Sequence, residues 1–289
     1  MFIVECIPLT RGFQKDTLSY FTSKIIPIGS LVTVPIRNKK TPALVVKTTP
    51  LPKEKMAIKD ASFSLKKLSN VKSEMFYFEE AVRATAETAD YYAGNVGSIL
   101  TEFTPQIILD EGHGVKNLAP LKLPAEKPES FVLQANEEDR ILEYKGLIRE
   151  CFARNESVLM CFPTIEEMFR FHAELSRGID EYTFLFHSGL AKKEFQNLWK
   201  KALLENHPVL IIGTPLTLLI PRRDIKLLII EQESSRFYKT KIRPYVDARF
   251  LAEKLASAYK IKLIWGDSAL RIETLYREIT AEFQRFPAS

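Results

Sequence analysis

Residues 209–231 read VLIIGTPLTLLIPRRDIKLLIIE: two apolar runs, Val209–Ile212 and Leu227–Ile230, joined by a segment with turn residues. Each run is short and apolar at every position, the pattern of a strand buried on both faces. Similar runs stand at Phe131–Leu133, Val158–Phe162, Thr183–Phe186 and Ile261–Trp265. Helical patterns lie between most of them, at Glu138–Ala153, Ile165–Arg177, Lys192–Leu204 and Val246–Tyr259. This alternation predicts a parallel sheet covered on both faces, with ligands gathered at the carboxyl ends of its strands. Along the helix Ile165–Arg177, Met168, Phe169 and Phe171 read as core.

Upstream the pattern is different. Short apolar runs at Phe2–Ile7, Ser30–Ile36 and Ala43–Val46, broken by Pro27, Gly29, Pro35 and Pro42, predict a small β-rich unit. Thr48–Lys59, rich in Pro and Lys, reads as a linker or loop. A helical run follows from Ala81 to about Tyr92, then a short one at Val96–Phe103. The stretch Asp110–Ser130 is loop-like and marks the main boundary. The expected division is 1–60, 61–127 and 128–289.

Composition bounds the function. With 46% apolar and 27% charged residues, the 289-residue chain is of the ordinary globular kind. No apolar run approaches the roughly 20 residues of a membrane span, and the first residues lack signal-peptide character, so a cytoplasmic location is expected. Cys6, Cys151 and Cys161 are scattered and read as buried thiols. His113, His172, His187 and His207 show no ligand spacing, so no metal site is expected. Residues 1–60 hold ten Lys/Arg against four Asp/Glu, a net +6 in a chain whose total is +5. A basic excess confined to one segment favours phosphate contact there.

Several motifs in order resemble one family. His187-Ser188-Gly189-Leu190, Trp199, Ile211-Ile212-Gly213-Thr214 and Glu231-Gln232-Glu233-Ser234 follow the HSxLS, Trp, IVIGTRSA and DEEH elements of the primosomal protein N′ (PriA) family. Phe237-Tyr238-Lys239, Tyr245–Arg249 and Gly266–Ala269 stand where that family has SYKQ, RYHARD and GSATPS. Ala89-Asp90-Tyr91-Tyr92 resembles its ADYY segment. Leu18-Ser19-Tyr20 and Gly29–Pro35 resemble the FDY and GxRVxVP patterns of its DNA 3′-end-binding domain. The resemblance implies an α/β chain: a small β-rich N-terminal domain, a winged-helix domain, then one RecA-like parallel-sheet lobe of a superfamily 2 helicase. The second lobe and zinc-binding module of the family have no counterpart in these residues.

The family uses ATP, Mg²⁺ and zinc, whereas this sequence departs from the nucleotide motifs. A phosphate loop needs a Gly-rich turn and a Lys. Its expected position reads Gln134-Ala135-Asn136-Glu137-Glu138-Asp139-Arg140, without either. Asn136 there is a good helix N-cap, and the acids complement the helix dipole. The catalytic Glu aligns with Gln232, whose amide cannot accept a proton. The metal-binding Asp aligns with Glu231, which retains a carboxylate for weak Mg²⁺ binding. No catalytic residue and no cofactor are expected.

The resemblance also implies DNA-facing residues, although Leu18 replaces an aromatic and Ser19 an Asp of the family's 3′-end pocket. In the first domain they are Leu18, Ser19, Tyr20 and Lys59, with a basic turn at Arg37, Asn38, Lys39 and Lys40. In the lobe they are Thr164 and Thr214 at strand ends, and Phe237, Tyr238, Lys239, Arg243 and Tyr245 in a loop mixing cations with aromatics, a composition suited to single strands. For Phe237 and Tyr245, packing into the lobe is the competing reading. The expected partners are branched or single-stranded DNA, with replication-restart proteins or single-stranded DNA-binding protein, and no membrane. The leading reading is a non-hydrolytic reader of stalled forks. The alternatives are an ATP-dependent DNA helicase completed by a second chain or a missing C-terminal half, and a fragment without stable activity.

Overall fold

A computed structural model describes residues 1–11, 16–36, 39–50, 65–68, 70–112 and 129–286. The chain divides into two compact units, Met1–Ala119 and Pro120–Ser289.

The first unit is built on a six-stranded sheet: β1 (Phe2–Pro8), β2 (Leu18–Thr22), β3 (Leu31–Ile36), β4 (Lys39–Pro50), β5 (Lys66–Lys67) and β6 (Asn70–Ser73), in the order β5-β2-β1-β4-β3-β6. All neighbours are antiparallel except β2 and β5. Val4, Cys6, Tyr20, Val32, Val34 and Val45 form its core. β4 runs through Pro42, where the sequence reads a break. Pairing with β1 begins only at Ala43, so on that side Pro42 lies beyond the ladder and its missing N–H forfeits nothing there.

Three helices complete this unit: α1 (Glu79–Tyr91), α2 (Val96–Glu102) and α3 (Gln106–Glu111). Asn95 caps α2, its side chain accepting from Ser98 N at 2.8 Å. The unforeseen α3 extends two residues into the expected loop, and Lys72 of β6 donates to its last carbonyls, Leu109 O at 3.1 Å and Asp110 O at 2.5 Å. These contacts tie the helices to the sheet within one unit. Residues 113–128, on which the expected boundary falls, lie outside the described residues. A Cβ on Gly97 would lie 2.0 Å from Pro8 O, so α2 sits on the end of β1 with no room for a methyl group. Gly97→Ala is therefore expected to lower stability by about 1–3 kcal/mol, measured by urea denaturation.

The second unit holds the expected parallel sheet. Its seven strands are β7 (Ser130–Gln134), β8 (Ser157–Cys161), β9 (Thr183–Phe186), β10 (Leu210–Gly213), β11 (Ile225–Glu231), β12 (Lys262–Asp267) and β13 (Gln284–Arg285), in the order β13-β7-β12-β11-β8-β10-β9. Every pair is parallel. The helices are α4 (Glu137–Ala153), α5 (Ile165–Leu175), α6 (Lys192–Leu204), α7 (Ala248–Tyr259) and α8 (Ile272–Ile279). α4 and α5 bury Tyr144, Leu147, Ile148, Met168 and Phe171 against Val158, Met160, Ile212 and Ile229. On the opposite face, Trp199 of α6 meets Phe186, and Arg277 of α8 pairs with Glu253 of α7.

Phe169 is a correction to the sequence reading: it is 46% exposed, while Met168 and Phe171 are fully buried. On a helix, positions 168 and 171 share a face, and 169 is turned about 100° away from 168. All three cysteines are buried and unpaired. Among the described residues no helix is long and apolar enough to cross a membrane, and no group of His, Cys, Asp and Glu could hold a metal ion.

Candidate functional site

Parallel pairing places the carboxyl ends of four strands side by side. Ile230 of β11 lies opposite Cys161 of β8, Cys161 opposite Gly213 of β10, and Gly213 opposite Phe186 of β9. The ends of these strands and the segments leaving them carry Glu231, Thr164, Thr214 and His187, so residues far apart in sequence come to one edge.

At this edge β7 leads into α4, where the phosphate loop would stand. Asn136 caps the helix, Oδ1 accepting from Asp139 N at 2.9 Å, and Glu137, Glu138 and Asp139 fill the first turn. The next residue, Arg140, turns into the interior and is 2% exposed. Its Nε donates to Glu231 Oε1 at 3.0 Å and its Nη2 to the same oxygen, while Nη1 donates to Ala135 O at 2.6 Å. Tyr144, one turn further along α4, donates its hydroxyl to Glu231 Oε2 at 2.6 Å. Gly266 leaves the space for this cluster: its Cβ would lie 1.8 Å from Tyr144 Oη and 2.8 Å from Glu231 Oε2.

Burial pushes the Glu231 carboxyl up, and the hydrogen bonds from Arg140 pull it back. Arg140 is also desolvated, yet Glu231 holds it above the usual arginine value. Both Glu231 oxygens accept from donors, which leaves no place for a proton, and we assign an ionised pair. Such a carboxylate is closed to a metal, and the adjoining guanidinium repels a divalent cation. With both oxygens of Glu231 engaged by Arg140 and Tyr144, the residues at this position do not fit ATP–Mg²⁺. Gln232 follows with a left-handed φ of 51°.

The same carboxylate residue anchors the cationic-aromatic loop. Tyr238 Oη lies 2.6 Å from Glu231 O and 2.8 Å from Cys161 O, sharing one proton between two carbonyls. Tyr238 is 1% exposed and is thus a buried anchor, not the DNA contact expected of it. Arg249 lies over its ring at 5.5 Å, grips Asp247 through Nε and Nη2 at 2.8 and 2.7 Å, and donates to Glu233 O. Glu233, fully buried, accepts from the backbone N and Nε of Arg271, both at 2.6 Å. On this fixed base Phe237, Lys239, Arg243 and Tyr245 are exposed. Phe237 and Tyr245 are therefore not packed into the lobe.

The remaining sites differ in their fates. Thr164 caps α5, accepting from Glu167 N at 3.3 Å, and Thr214 O accepts from Thr217 N at 3.0 Å. Both threonines are partly exposed. In the first unit, Tyr20 is buried in β2 with its hydroxyl 3.4 Å from Pro35 O, and Leu18 packs against the same core. Side chains alternate along a strand, so Ser19 points away from both. Leu18, Ser19 and Tyr20 therefore do not converge on one pocket. Lys39 and Lys40 are exposed at the start of β4, whereas Arg37 and Lys59 lie outside the described residues.

The sequence reading missed the roles of Arg140 and Tyr144. Their signal was positional: both fall on the helical stripe that continues through Leu147 and Cys151, which makes Arg140 a charged residue at a core position. Arg140→Met is expected to cost about 3–5 kcal/mol by stranding Glu231, and pairing it with Glu231→Leu to recover most of that loss, both read by urea denaturation. Asp247 is also desolvated, but Arg249 holds its carboxyl below the ordinary value of 3.8. Its stabilisation is full above that value and is lost as the pH falls through the lowered one. Denaturation midpoints of the parent chain and Asp247→Asn should thus differ at neutral pH and converge in acid.

The chain is similar to replication restart protein PriA of Helicobacter pylori (strain J99), with 24% identity over 276 residues, covering 91% of this chain and 42% of that protein. The Rickettsia prowazekii (strain Madrid E) protein of the same name is 23% identical, covering 96% of this chain and 44% of its own. The chain thus spans less than half the length of these curated relatives. Among solved structures, the C-terminal domain of S. cerevisiae Dbp5 aligns over 57% of this chain and 92% of its own, with a TM-score of 0.40 and 13% identity. No family model matches the chain.

Proposed function

We propose that this chain acts in replication restart as a DNA-binding protein that recognises branched or stalled forks without hydrolysing ATP. The observation that carries this reading is the Arg140–Glu231–Tyr144 cluster, which fills the position a nucleotide and its metal would use. Tyr238 joins that cluster to a loop whose cations and aromatics remain exposed, so the loop is held in place by protein contacts alone. A preformed cationic and aromatic surface suits single-stranded segments at a fork, where bases stack while cations follow the backbone. The helices of the first unit supply a winged-helix contact in this scheme, and Lys39 and Lys40 a phosphate contact. Its partners are branched DNA and either other restart proteins or single-stranded DNA-binding protein.

Fluorescence anisotropy tests this with three labelled DNAs: a fork with a leading-strand 3′ end at its junction, the same fork without that strand, and linear duplex. Tighter binding to the forks, unchanged by ATP and Mg²⁺ and without phosphate release, is the expected result. Phe237→Ala should weaken binding to single-stranded arms by about 1–3 kcal/mol. Equal affinity for all three DNAs would overturn fork recognition, and phosphate release by the purified chain would return the helicase reading.

A further inference from the structure

The exposed aromatic that the sequence assigned to the core has a partner at the far end of the same sheet edge. Phe169 of α5 meets the His187 ring edge-on, with centroids 5.1 Å apart and planes at 63°. His187 leaves the carboxyl end of β9, and its Nδ1 accepts from Gly189 N at 3.1 Å. A ring nitrogen that accepts a backbone N–H carries no proton, so the neutral imidazole bears its proton on Nε2. The loop thus fixes both the ring's orientation and its donor. Lys192 and Lys193 stand exposed five and six residues on, at the start of α6. Arg170, beside Phe169, is paired with Glu137 and Glu167, so these two lysines are the cations nearest in sequence to the His187 loop that are left for an anion.

Phe169 is nearly half exposed, so part of its ring beside the His187 contact is left open to a ligand. An exposed ring, an oriented imidazole donor and adjacent lysines together match a nucleobase with its flanking phosphate. We propose that Phe169 and His187 form a second base-stacking platform for single-stranded DNA, with Lys192 and Lys193 contacting the backbone. The strand order β11-β8-β10-β9 sets it three strand spacings, roughly 14 Å, from the loop after β11, with Thr164 and Thr214 between. One strand laid along the edge reaches both platforms. This inference rests on the DNA-binding reading above and adds a site to it.

The test uses the full chain and an oligodeoxythymidylate carrying 2-aminopurine, with binding read by anisotropy and stacking by fluorescence quenching. Phe169→Leu keeps an apolar side chain but removes the ring. It should weaken binding roughly 5- to 100-fold and abolish part of the quench, with thermal melting unchanged. Lys192→Ala with Lys193→Ala should flatten the dependence of log K on log salt by roughly 1.4. His187→Gln serves as a second probe of the platform should Phe169→Leu melt early. If the parent chain binds no single strand, this inference and the DNA-binding reading fall together. If Phe237→Leu weakens binding while Phe169→Leu and His187→Gln do not, the second platform alone is overturned and the exposed ring is left to a protein partner.

Discussion

A carboxylate fully buried at the end of a central parallel strand must be neutralised, and the way Glu231 is neutralised organises this lobe. Arg140 reaches it from the first turn of α4 and Tyr144 from the second, so one helix face is pinned to the end of β11. Buried ion pairs are seldom net stabilisers relative to apolar side chains, because desolvation cancels most of the attraction. What they impose is geometry: either partner left alone is costly, so helix and strand can meet in only one register. Gly266 enforces the same point sterically from β12.

From that pair the constraint spreads by hydrogen bonds instead of apolar contact. Tyr238 bonds to the backbone of Glu231 and of Cys161, tying the loop to two adjacent strands. Arg249, Asp247, Glu233 and Arg271 then close the base of the loop in a chain of charge-assisted bonds. In a nucleotide-dependent lobe, a ligand would supply part of this order on binding. Here side chains supply the contacts at the base of the loop, beneath a surface of exposed rings and cations.

Strand and helix patterns were largely legible in the sequence of the second unit, since its apolar runs and helical periods fall within a few residues of the observed elements. The exceptions are instructive. α8 and β13 went unread because they follow the last apolar run, and in the first unit β2 was read as a binding motif. The site was less legible. That residues 134–140 hold neither Gly nor Lys could be read directly, but that Arg140 and Tyr144 would reach Glu231 could not. Tyr238 and Phe169 exchanged roles between sequence and structure, one expected to contact DNA and found buried, the other expected in the core and found exposed.

The sequence by itself determined the alternation of strands and helices, the basic bias of the first 60 residues and the absence of a nucleotide-cradling turn at positions 134–140. These are local properties, set by side-chain periodicity, charge and backbone chemistry within short windows. Only the tertiary structure decided that Arg140 meets Glu231 across 91 residues, that Tyr238 points inward, and that Phe169 meets His187. Those outcomes depend on strand order and on which face of a helix meets the sheet. Both are fixed when the whole lobe buries its apolar surface at once, and no single segment encodes them.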